Sequence, residues 1–157
     1  MSECKASVVA LISKNGQVLL IKRKENKNDP WSGHIALPGG RRENGEDCKA
    51  TAIRECLEEV GIKPCKLVEL GIYSPHNMSS LPVKAFMSCI NEEITPRIQK
   101  EEVDHAFWVK LSDLKKGEDD AFYYDGYRVW GMTYRILKDI IDKKMYEICI
   151  QPGNDTS

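Results

Sequence analysis

Residues 40–62 read Gly-Arg-Arg-Glu-Asn-Gly-Glu-Asp-Cys-Lys-Ala-Thr-Ala-Ile-Arg-Glu-Cys-Leu-Glu-Glu-Val-Gly-Ile. The part from 47 to 60 predicts a helix, closed by Gly61 as a left-handed cap and kept from continuing by Pro64. Ile53, Cys56, Leu57 and Val60 recur at helical spacing and form one apolar stripe, expected to face a core. Glu55, Glu58 and Glu59 share a spacing of their own and project almost opposite that stripe. A solvated acidic face is the plain alternative. Two features argue against it. Like charges at these spacings repel by roughly 0.2–0.5 kcal/mol per pair, and the trio lies in the last turns, where the helix dipole disfavours anions. Pro38-Gly39-Gly40, just ahead, is a turn that could bring backbone carbonyls to the same place. Gathered oxygen donors suit a hard divalent cation such as Mg²⁺ or Mn²⁺. Arg54 can reach Glu58 one turn on.

Before the helix, the sequence reads as strands. Residues 6–13 are apolar and β-branched, Asn15-Gly16 is a favoured two-residue turn, and residues 17–23 return as a second strand, so a hairpin is expected. Residues 24–34 form a polar loop, and 35–37 a short strand. After the helix, residues 66–73, 83–90 and 106–109 predict strands. Ser112 is placed to cap a short turn over 113–116, and Asp125-Gly126 to join a second hairpin, 122–124 with 127–130. Residues 132–143 predict the last helix, with Ile136, Leu137, Ile140 and Ile141 on one face. Many strands with few helices give an α+β domain of layered αβα form.

The chain has 157 residues, a length that suits one domain, and its 41% hydrophobic and 30% charged content exclude disorder, collagen and coiled coil. No apolar run approaches the roughly 20 residues that span a bilayer. The first residues lack a signal-peptide layout, so a cytoplasmic protein is expected. The formal net charge of −1 exerts no general pull toward nucleic acid or membrane. Six cysteines with no C-x-x-C pair and three histidines make a zinc site a poor reading. Free, mostly buried thiols in a reducing compartment are expected.

With these residues in view, residues 40–62 resemble the Nudix box. Gly40, Glu46, Arg54-Glu55, Glu58-Glu59, Gly61 and Ile62 stand at its spacings, with Cys56 where a larger aliphatic residue is usual. The resemblance implies a Nudix-type αβα sandwich with a mixed sheet and a loop-helix-loop motif, one domain over residues 1–157. It implies Mg²⁺- or Mn²⁺-dependent hydrolysis of a nucleoside diphosphate linked to another moiety. Glu55, Glu58 and Glu59 would then be metal ligands, joined by the carbonyl of Gly39 and by a loop carboxylate, Glu102 in preference to Glu101. Glu55 would also accept a proton from the attacking water, Arg54 would orient the box carboxylates, and Glu46 would be tied to that arginine.

Two further stretches, residues 18–23 with 31–40 and residues 127–133, resemble the coenzyme A diphosphatase branch, the latter its Ile-Trp-Gly-Leu-Thr-Ala element opening the last helix. Asn28-Asp29-Pro30-Trp31 stands where that branch carries arginine and histidine, and His34 where glutamine is common. The branch implies cleavage of coenzyme A or its derivatives to 3′,5′-ADP and 4′-phosphopantetheine. ADP-ribose, dinucleotides and (deoxy)nucleoside triphosphates are the alternative substrates, and a nucleotide-sensing module without catalysis is the alternative class. Arg23, Lys24, Arg41 and Arg42 are candidate phosphate partners. Trp31 or Tyr73 could stack an adenine, His34 belongs to the substrate loop, and Trp130 is assigned to the core. The expected partner is a small nucleotide, with no nucleic acid or membrane and with a homodimer left open.

Overall fold

Strand β1 (Ala6–Ser13) is buried along its whole length, and the other elements are laid around it. Val8, Ala10 and Ile12 enter one core, while Val9 and Leu11 enter another on the opposite face. A strand covered on both faces needs no polar alternation, hence a run that is apolar apart from Ser7 and Ser13. In this computed structural model, which describes residues 4–28, 32–75 and 80–150, β6 (Val83–Ile90) lies parallel to β1 over its full length. β5 (Val68–Tyr73) adds to β6 antiparallel.

β1 and β2 (Gln17–Arg23) meet only at Ile12 and Val18. β2 then diverges to pair with β7 (Val103–Lys110) on one side and β3 (Ile35–Ala36) on the other. β4 (Gly39–Arg41) occupies the side of β1 that β2 leaves free. The expected two-residue turn is therefore corrected. Only Gly16 has positive φ, 76°, while Asn15 does not. The Gly16 N–H donates to the Ser13 carbonyl at 2.9 Å, and the Ser13 hydroxyl accepts from the N–H groups of Asn15 and Gln17. This wider turn lets the strands splay. The second hairpin is as expected: Asp125 and Gly126 both have positive φ, 49° and 83°, between β9 (Ala121–Tyr124) and β10 (Tyr127–Trp130). β8 (Lys115–Lys116) completes this second sheet. The turn expected over 113–116 is instead a 3₁₀ turn, Leu111–Asp113, with no side-chain cap from Ser112.

Helix α1 (Cys48–Val60) packs on β1 and β4. Asp47 caps it, its carboxylate accepting from the Ala50 N–H at 2.8 Å, and Gly61 closes it at φ 73°. Helix α2 (Gly131–Asp142) buries Ile136, Leu137 and Ile140 on the other side of the large sheet. A short helix, α3 (Glu147–Ile150), follows it. The result is a mixed sheet between helices, the αβα arrangement expected. The stripe on α1 is rotated from its expected position: Cys48, Ala52, Cys56 and Val60 are buried, Leu57 is 46% exposed, and Glu59 is turned inward. Packing against β4 draws in the side of the helix that carries Glu59.

The expectation of free thiols fails for four cysteines. Cys4 is bonded to Cys48 and Cys89 to Cys149, across separations of 44 and 60 residues that no local spacing reveals. Cys56 is a buried thiol and Cys65 an exposed one. Among the described residues, no helix is long and apolar enough to cross a membrane.

Removing the Asp47 cap leaves a helix N–H without its partner. Asp47→Ala should cost about 1 kcal/mol and lower Tm by about 2–4 °C, read by thermal unfolding with Asp47→Asn as a near-neutral control.

Candidate active site: three carboxylates at the foot of a cleft

The site is organised by a guanidinium. Arg54 Nε donates to Glu46 Oε2 at 2.5 Å, and Nη2 donates to Glu46 Oε1 and to the Arg41 carbonyl, both at 3.1 Å. Nη1 donates to Glu55 Oε2 at 3.1 Å and Glu58 Oε1 at 3.2 Å. All five N–H groups of the fork are thus engaged. Glu46 also accepts from the Glu43 N–H at 3.0 Å and the Thr51 hydroxyl at 2.9 Å. The Arg54 hydrogen bond, followed by that from Glu43, holds the Glu46 carboxyl down at about 2. Arg54 is itself pushed further up, chiefly by Glu46. This network joins the loop before α1, strand β4 and the middle of the helix in one rigid piece.

Beside it, Glu55, Glu59 and Glu102 bring one carboxylate oxygen each within 4.8 Å of one another. Glu59 is 1% exposed, and its Oε1 accepts from the Gly39 N–H at 3.0 Å. Burial is the main cause that pushes its carboxyl up to about 8; Glu55 and Glu102 add repulsion, while the Gly39 hydrogen bond and Arg23 oppose the rise. Glu55 is raised as well, first by burial, with Arg54 pulling it back. Glu102 comes from the turn before β7, where its N–H donates to the Gln99 carbonyl and its own carbonyl accepts from Lys24 N–H. Glu101 lines the same cleft without joining the triplet, and Glu58, bound to Arg54 and half exposed, also stands outside it.

Two glycines make this approach possible. A side chain at Gly39 would run into the Ser7 carbonyl and Val8 on β1, and one at Gly40 would fall on the Glu55 carboxylate, 2.6 and 2.7 Å from its oxygens. Both sit on β4, which the pairing with β1 fixes in place.

The triplet lines a cleft of about 560 Å³. Arg23, Lys24, Arg41 and His34 line it, as the sequence suggested, together with Leu81 and residues 130–133 at the start of α2. Trp31 lies outside the described residues. Arg42 does not line the cleft; its Nε and Nη1 donate to the carbonyls of Cys4 and Glu46. Tyr73 is also elsewhere, its hydroxyl donating to Asp139 Oδ2 at 2.5 Å. Trp130, assigned to the core, is half-buried in the cleft wall, its ring 5.0 Å from that of His34 and beneath the Arg128 guanidinium at 5.4 Å. The signal was present in the alternation along β10: Val129 is buried, so its neighbour faces the other way.

The fold agrees with what is found among known proteins. The NUDIX domain family model matches residues 3–128, and the chain belongs to that family. Over 68 residues it is 44% identical to the ADP-ribose pyrophosphatase of Methanocaldococcus jannaschii, covering 43% of this chain and 38% of that protein. Over 137 residues it is 39% identical to an uncharacterized Schizosaccharomyces pombe protein, covering 78% of this chain and 41% of that one. The chain thus spans about two fifths of the length of these two relatives. In fold it is similar to the NUDIX domain of Shewanella oneidensis NrtR, cocrystallised with ADP ribose: TM-score 0.68, 16% identity, 92% of this chain and 90% of that one.

The inward turn of Glu59 has a measurable consequence. Its carboxyl titrates near 8 when folded against an ordinary 4.5. Between those values the folded chain holds a proton that the unfolded chain has released, so metal-free stability should fall as pH rises from about 5 to about 8. Glu59→Gln should flatten that slope in a Tm series in chelator; an unchanged slope would contradict the assignment.

Proposed function

We propose that this chain is a single Nudix domain that hydrolyses, with a divalent cation, the diphosphate linkage of a nucleoside diphosphate derivative. The observation that carries this is the convergence of Glu55, Glu59 and Glu102 in a cleft that Arg23, Lys24 and Arg41 also line. The donor set fits Mg²⁺ or Mn²⁺: hard oxygens, gathered around the buried Glu59 carboxylate. Glu55, Glu59 and Glu102 would hold the cation, with the Gly39 carbonyl and Glu58 as the further donors the family resemblance names. When bound, such a cation acidifies water and neutralises charge on phosphate oxygens.

The protein's own groups supply the rest. Arg54 pins Oε2 of Glu55 and so sets the direction in which this carboxylate takes a proton from the attacking water. Arg54 also holds the Arg41 carbonyl, so the hub that aims the base also anchors the strand carrying a diphosphate-binding cation. Arg23 and Lys24 line the cleft from the end of β2, beside His34, whose carbonyl accepts from the Arg23 N–H. Because the glutamates must ionise to bind a cation, activity should rise with pH.

Within this class we infer coenzyme A or a derivative as substrate, cut to 3′,5′-ADP and 4′-phosphopantetheine. The support is that Trp130-Gly131-Met132-Thr133, part of the stretch resembling the coenzyme A branch, forms one wall of the cleft. ADP-ribose is the second reading, favoured by the printed activity of the M. jannaschii relative and the ligand of the S. oneidensis neighbour. Incubation with coenzyme A, ADP-ribose and deoxynucleoside triphosphates plus Mg²⁺ or Mn²⁺, with products identified by mass, decides between them. Release of 3′,5′-ADP from coenzyme A is expected; preferential turnover of ADP-ribose moves the assignment, and nucleotides left whole for hours point to a sensor.

Two variants probe the machinery. Glu55→Gln should lower kcat at least about a hundredfold, and near wild-type turnover would remove Glu55 from its role. Gly40→Ala keeps an ordinary φ but displaces the Glu55 carboxylate. It should weaken Mn²⁺ binding by roughly 10–100-fold in a calorimetric titration while the chain stays folded.

A further inference from the structure

Away from the cleft, three side chains are arranged in series at the seam between the two sheets. His105, on β7, has Nδ1 at 2.9 Å from Asp104 Oδ2 and Nε2 at 2.6 Å from the Tyr127 hydroxyl, on β10. None of the three lines the carboxylate cleft. With the ring hydrogen on Nδ1 donated to Asp104, Nε2 is left as the acceptor, and the Tyr127 hydroxyl donates to it. A hydroxyl, a base within hydrogen-bond reach and a third group that orients the base are the parts of an activated nucleophile.

The rings are held in place. Phe107 stacks on Tyr127 at 5.1 Å with 17° between planes, and on Tyr124 at 6.1 Å with 10°. His105 lies 5.7 Å from both Phe107 and Tyr127. Holding both rings keeps the phenol and imidazole aligned without a search through rotamers. The series is also open to solvent: the His105 side chain is 40% exposed and Asp104 51%. Tyr127 itself is half-buried at this edge rather than sealed in the core.

We propose that Asp104, His105 and Tyr127 form a second chemical site, in which the Tyr127 oxygen attacks activated acyl esters. Lys22, the cross-strand partner of His105, and Lys24 offset the charge of Asp104, so an uncharged ester carbonyl meets no electrostatic barrier. In the step, the Tyr127 oxygen bonds to the carbonyl carbon and its proton passes to His105 Nε2. The bond from that carbon to the leaving oxygen breaks, and the alcoholate departs with the electron pair. The product is an acyl ester of Tyr127, and the imidazolium, paired with Asp104, returns its proton to solvent.

The molecule contains its own control. Tyr123 is an exposed tyrosine whose hydroxyl donates to Asp119 Oδ2 at 2.8 Å, with no imidazole in the bond. With p-nitrophenyl acetate and the full chain, peptide mapping by mass should show Tyr127 acetylated at least tenfold faster than Tyr123. His105→Gln keeps a hydrogen-bonding side chain but removes the base. It should slow acetylation of Tyr127 about a hundredfold, the ordinary worth of a positioned base, and leave Tyr123 unchanged. Equal labelling of the two tyrosines, or a Tyr127 rate that survives His105→Gln, overturns the proposal. Neither variant residue belongs to the carboxylate cleft, so diphosphate hydrolysis should persist in Tyr127→Phe and His105→Gln, and the two readings fail independently.

Discussion

The fork of Arg54 is the constraint on which the rest of the site depends. It spends every N–H it has on Glu46, Glu55, Glu58 and the Arg41 carbonyl, and so locks helix α1 to the loop before it and to β4 behind it. Planar, bidentate contact with Glu46 fixes the fork's orientation in a way a lysine could not reproduce. With α1 held at that angle, the helix turns Glu59 inward beneath Gly39 and leaves Leu57 facing solvent.

That exchange is unfavourable for folding alone. A buried carboxylate with two more carboxylates beside it is the kind of group that a purely structural helix would avoid. The two glycines of β4 deepen the impression, since both are needed to let carboxylates and backbone approach so closely. Stability is given up locally, at one end of a sheet whose two cores are otherwise apolar and continuous. Strain of this sort, confined to one cleft, is what binding a cation would relieve.

Much of this was legible in the sequence, for local reasons. The ends of α1 follow from Asp47 and Gly61, and the second hairpin from Asp125-Gly126, because caps and turns are decided by a few adjacent residues. β1 and β6 announced themselves through largely apolar runs. What escaped was non-local. The splaying of β2 away from β1, the insertion of β4 and both disulfides depend on partners far along the chain. The face of α1 is the instructive case. Periodicity placed Leu57 inside and Glu59 outside; packing against β4 reversed both, a preference no single helix records. Trp130 was misread for a similar reason, since a large aromatic suits a core and a cleft wall equally. Glu102 belongs to the triplet while Glu101 does not, a difference that arises from the turn ahead of β7 rather than from composition.

The most direct test is anomalous diffraction from crystals of the full chain soaked in Mn²⁺. Density lodged among Glu55, Glu59 and Glu102 is the predicted result. Manganese found only on carboxylates away from the cleft, with that trio vacant, would contradict the account.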